Sequence, residues 1–127
     1  MDRRIFVLFA GGCVLGALYH AVAALMPELG IYGPRWRHGL FVGVDLFTAW
    51  YFLRRPLWLL PAYVALVVQQ FNGHGRYLVT LWQAEHRIHW LALVSPIGLT
   101  FGLVLLGYDA WLRYRRAGVS QLRVPAA

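Results

Sequence analysis

The sequence predicts an all-α protein, a four-helix transmembrane bundle with both termini in the cytoplasm. Three observations lead there. The chain of 127 residues is 60% hydrophobic and only 13% charged, against roughly a quarter charged in ordinary soluble domains. Its apolar residues fall into four long runs broken by Arg, Gly and Pro; the first and last are long enough for a helix to cross a bilayer, and the second and third, slightly short of it, read as spans with a shallow hairpin as the alternative. All 12 basic residues are arginine, placed around the ends of those runs rather than over one face.

Taken in order, the first span is expected over 5–26, without a formal charge. Met1-Asp2-Arg3-Arg4 before it and the small-x-small Ala21-Val22-Ala23 within it also fit a secretory signal; we read the segment as a retained span. Pro27, Gly30, Gly33 and Pro34 make a loop. The second span is expected over 38–53, interrupted by Asp45, and Arg54-Arg55-Pro56 closes it. The third, over 57–72, is interrupted by Gln69 and Gln70, and Asn72-Gly73-His74-Gly75-Arg76 after it reads as a turn. Tyr77–Trp82 then reads as an interfacial stretch with aromatic anchors. The fourth span is expected over 87–112, with a kink near Ser95-Pro96, an Asp109–Arg113 pair four residues apart, and a loose tail over 115–127. The whole chain, 1–127, is taken as a single integral membrane domain.

Four spans return the chain to its starting side. That side carries Arg3, Arg4, Arg54, Arg55, Arg113, Arg115, Arg116 and Arg123; the other carries Arg35, Arg37, Arg76 and Arg87. Arginine-rich loops stay in the cytoplasm, so a multi-pass protein of the cell membrane, of the bacterial inner-membrane type, is expected. The net charge of +7 then meets anionic lipid headgroups. Nucleic acid is not an expected partner, because no soluble face gathers the arginines. The lone Cys13 excludes an intrachain disulfide and CxxC redox chemistry. No phosphate-binding glycine loop, G-x-S-x-G elbow or HExxH pair is present.

In this topology all five histidines fall toward the outer face, with Glu28, Asp45, Gln69, Gln70 and Glu85. A carboxylate within a membrane span costs about 2.5–3.5 kcal/mol on insertion scales, so Asp45 should face protein or water and hold a partner. His38 lies seven residues earlier, two turns back on the same face. His20 shares a face with Gly12, Gly16 and Ala24, and Gly12-x-x-x-Gly16 allows close helix approach. His20 and Asp45 are the acid–base candidates, and His38, His74, Gln69 and Gln70 the cofactor- or ligand-lining ones. In "QAEHRIHW" (83–90), a helix would set His86 and His89 on one face with Glu85 beside them, a spacing that suits a metal.

The expected function is a His/Asp-lined polar cavity at the outer face that binds a transition metal, a haem or a small amphipathic ligand, with acid–base chemistry if it is an enzyme. An accessory or structural subunit of a membrane complex is the alternative, a proton-coupled transporter another. The bilayer is the expected partner, with a homo-oligomer or membrane-complex subunit as further ones.

Overall fold

The computed structural model describes residues 2–26, 28 and 33–121, the last four of these by backbone alone. Among them the chain is all-helical, with four α-helices and no strand: α1 (Arg3–Leu25), α2 (Arg35–Arg54), α3 (Leu60–Glu85) and α4 (Trp90–Gln121). A single 3-10 turn, Leu57–Leu59, precedes α3. Two compact units divide the chain, Met1–Pro56 and Leu57–Ala127, each built on a helical hairpin.

The first hairpin packs α1 against α2. On α1 the spacing of Phe6, Ala10, Cys13, Ala17 and His20 alternates four and three residues, and on α2 that of His38, Phe41, Asp45, Thr48 and Phe52 alternates three and four. Such spacing keeps one seam facing a partner helix. Phe6, Ala10, Ala17, Thr48 and Phe52 on it are buried. Contacts run antiparallel along the seam: Arg55 lies over Phe6, Phe9 packs on Phe52 and His20 meets His38. Alanines on α1 let the backbones approach, and the aromatic rings of α2 fill the remaining space. Asp2 caps α1 by accepting the N–H of Arg4, and Arg35 donates its Nε–H to the Ala24 carbonyl at the other end. Both bonds satisfy backbone groups that a helix end leaves unpaired.

In the second hairpin, Tyr63 of α3 donates its hydroxyl to the Leu99 carbonyl of α4. α4 continues through Pro96, which lacks an N–H for the turn before it. Around that point the hydroxyls of Ser95 and Thr100 donate to the carbonyls of Leu91 and Pro96. Near the far end Arg113 pairs with the buried Asp109 at 2.6 Å, as the four-residue spacing predicts.

Three expectations are corrected here. The stretch 72–76 is not a turn: α3 runs through it to Glu85, absorbing the third span and the Tyr77–Trp82 segment into one helix of 26 residues. Two helical glycines cost about 1 kcal/mol each against alanine, too little to break a helix held on both sides. The Arg115 tail is likewise helical as far as Gln121, and 122–127 lie outside the described residues. Finally, "QAEHRIHW" is not a helix start: its first three residues end α3, and 86–89 link α3 to α4. His86 leaves α3 with a left-handed φ of 50°, and α4 begins only at Trp90.

His89 caps that beginning: its carbonyl accepts from Leu93 and its Nδ1 from the Ala92 N–H at 3.3 Å. His89→Ala should therefore cost about 1 kcal/mol of stability. His86→Gly should raise stability by up to about 1 kcal/mol, because glycine adopts the left-handed conformation without the Cβ clash. Thermal unfolding of the detergent-solubilised protein, followed by circular dichroism, measures both. Equal melting temperatures for the two variants would contradict the assigned caps.

Two helical stretches, Arg3–Leu25 and Trp90–Ala117, are long and apolar enough to cross a membrane. Most of their apolar side chains face outward, with Leu8, Leu15, Phe101 and Val104 each more than 60% exposed. α2 and α3 carry more polar residues, including Asp45 and Arg37 in one and Gln70 and Arg76 in the other.

Candidate acid–base site in the first hairpin

The seam of the first hairpin turns polar toward its loop end. Phe6, Phe9 and Phe52 give way to Gly16, Asp45, His20 and His38. The Nδ1 atoms of His20 and His38 stand 2.9 Å apart in a hydrogen bond. From the opposite edge of the same ring, Nε2 of His20 faces Asp45 Oδ2 at 3.9 Å. This is an ion-pair approach rather than a direct hydrogen bond. The three side chains form a chain with His20 in the middle.

Apolar neighbours hold the rings in place. Phe41 stacks on His20 with ring centres 5.2 Å apart and 26° between planes, and Tyr19 meets His20 edge-on at 5.4 Å. Phe41 was not singled out by the sequence, although the spacing 38, 41, 45 sets it on the same face. His38 is buried. Asp45 sits against the bare backbone of Gly16, where a Cβ would come within 2.9 Å of Oδ2. Gly16 is thus the close-approach residue of the Gly12/Gly16 pair, and Gly12 opens to space. Gly33, at φ 114°, comes close to His38 in the same way: a Cβ there would lie 3.3 Å from Nε2.

Chemically, an imidazole–imidazole hydrogen bond needs one ring to donate and the other to accept. The two facing nitrogens therefore share one proton. If His38 donates, the neutral His20 ring carries its own proton on Nε2, facing Asp45. If His20 donates, His38 presents a bare Nδ1, and a second proton on His20 is balanced by the carboxylate. One proton can thus be exchanged between the two rings, while Asp45, 3.9 Å from Nε2, stabilises the charged form of His20 electrostatically.

The 2.9 Å between the two Nδ1 atoms is hydrogen-bond distance. Among the described residues no group of three or more His, Cys, Asp or Glu stands where it could hold a metal ion.

The other candidates belong to the second unit. His74 lies inside α3 rather than closing it; Gln70 is buried and Gln69 exposed. The expected metal group Glu85, His86 and His89 is not built, because its one-face spacing required a helix that ends at His86. Glu85 pairs with Arg87 at 3.1 Å, His86 stands edge-on to Trp82, and His89 has Nδ1 engaged at the start of α4. An open depression of about 560 Å³ on α3 is lined by Phe71, Asn72, Gly75, Arg76, Val79 and Thr80, none of them a candidate residue.

No protein family, curated protein or solved structure matches the chain. The residues themselves carry the functional reading.

Proposed function

We propose that this chain is a small multi-pass protein of the cell membrane whose first hairpin carries an acid–base site. Asp45, His20 and His38 take up and pass a proton to or from a small ligand arriving at the outer face. In this reading the helices make four spans and both termini lie in the cytoplasm. The Nδ1–Nδ1 bond between His20 and His38, with Asp45 on the far edge of His20, carries the proposal. A carboxylate and two imidazoles are costly among apolar helices, and here they are arranged as a chain. Beyond Asp45 the seam toward Arg55 is lined by Cys13, Ala10, Phe6, Phe9, Thr48 and Phe52, with the Thr48 hydroxyl donated to the Val44 carbonyl. The lack of a carboxylate or imidazole along that stretch favours chemistry at one face over the transporter alternative.

The test uses the full chain in lipid nanodiscs with 15N-labelled histidine. The expected NMR result is two imidazoles joined by an Nδ1–H···Nδ1 hydrogen bond, one Nδ1 carrying the proton and the other bare. Asp45→Asn should shift the resonances of this pair and leave those of the other three unchanged. Five imidazoles without such a bond would refute the site. An absorption spectrum and metal analysis of the same sample complete the test: a Soret band or stoichiometric metal would replace proton transfer with ligation.

Exposed aromatics favour the accessory-subunit alternative. Trp36, Trp58 and Tyr114 are more than 70% exposed, and such side chains serve either bilayer interfaces or partner helices. In that case variants of His20 and His38 would leave cellular function intact.

The topology makes a separate prediction. On a Cys13→Ala background, cysteines at Gly33 and Arg87 should react with an impermeant thiol reagent in intact cells, and one at Arg55 should not. Labelling of position 55 together with 33 would overturn the four-span arrangement.

A further inference from the structure

We propose that the end of the first hairpin opposite the histidines binds the phosphodiester headgroup of an anionic phospholipid. The antiparallel register places Arg3 and Arg4, opening α1, at the same end as Arg54 and Arg55, closing α2. Arg3, Arg4 and Arg54 are exposed, and among the described residues they form no ion pair. The carboxylate at this end, Asp2, is occupied in capping α1.

Two features select a lipid over a soluble anion. Arg55 takes a left-handed backbone (φ 52°), and its guanidinium lies 4.5 Å over the centre of the buried Phe6 ring. That stack fixes one cation of the group at the edge of the apolar seam. Val7, Leu8 and Leu53 are exposed within a turn of the arginines, so apolar walls lead directly up to the charged end. A phospholipid offers the matching pattern, with acyl chains along such walls and a phosphate at their end. The fork of the guanidinium fits two phosphate oxygens at once, which the point charge of lysine does not, and the chain contains no lysine.

The inference rests on the reading that this hairpin lies in a bilayer, and the experiment separates the two. Flotation of the full-length protein with phosphatidylcholine vesicles tests the membrane reading alone. Native mass spectrometry of the protein in detergent, titrated with phosphatidylglycerol and with phosphatidylcholine, tests the headgroup site. Phosphatidylglycerol should bind about tenfold more tightly than phosphatidylcholine, and the R3Q/R4Q/R54Q variant should lose most of that preference. This variant leaves the Arg55–Phe6 stack in place, and circular dichroism checks its helix content. R87Q, in the second unit, should keep the preference.

Flotation without headgroup preference would overturn this proposal and leave the membrane reading standing. So would an R87Q loss as large as that of the triple variant, which would indicate a general charge effect. Displacement of phosphatidylglycerol by excess inorganic phosphate would make the ligand a soluble anion and would also overturn it.

Discussion

Replacing His38 by alanine should destabilise the first hairpin by about 1–3 kcal/mol and uncouple the acid–base site. The loss comes from the His20 Nδ1 left without its partner in a partly buried setting, where an unmet polar group costs about that much. His20→Ala should cost a similar amount, since it removes the Phe41 stack as well as the bond. The informative quantity is the double variant. If the two rings act through one another, the His20→Ala/His38→Ala protein should be less destabilised than the sum of the single variants. The difference should be about 0.5–3 kcal/mol, the range for residues in direct contact. Unfolding in mixed micelles, followed by circular dichroism, supplies all four corners of the cycle. Strict additivity would mean that the two rings do not support one another.

Gly16→Val should disrupt the hairpin at Asp45. A Cβ at position 16 alone comes 2.9 Å from Oδ2, closer than side-chain carbons approach oxygen without displacement. Valine adds two methyl groups to a stiff χ1. Overpacking of this kind costs about 1–3 kcal/mol, and Asp45 must swing from His20 to relieve it. The expected result is a lower melting temperature together with a shift of the His20 and His38 15N resonances. Gly12→Val is the control: a Cβ there meets nothing within 4 Å, so stability should hardly change. Equal effects at both positions would show that Gly16 is not the seat of Asp45.

Much of the site was legible from local spacing. His38 and Asp45, seven residues apart, were expected on one face of α2, and His20 on the Gly16 face of α1. Both expectations depend only on helical periodicity, and both helices form over those residues. The His86–His89 expectation used the same arithmetic and failed because its premise failed. Helix α3 ends at His86, and the two imidazoles leave on a loop. The five residues 72–76 misled in the opposite direction. Gly73 and Gly75 resemble a turn in isolation, yet a few kcal/mol of propensity is overridden when the flanking sequence is helical and packed.

From sequence alone came the helical class, the first and fourth of the four expected spans as stretches able to cross a membrane, and the faces on which Asp45, His20 and His38 stand. All of these follow from composition and from a period of 3.6 residues, which are properties of short stretches of chain. Tertiary structure decided which nitrogen of His20 meets His38, which carboxylate faces its other edge and that Gly16 gives Asp45 room. Those depend on the register of α1 against α2, set by Phe6, Phe9 and Phe52 packing tens of residues apart in sequence. A slide of one helical turn, about 5.4 Å, would keep every local pattern and separate the imidazoles, and no local spacing records that choice.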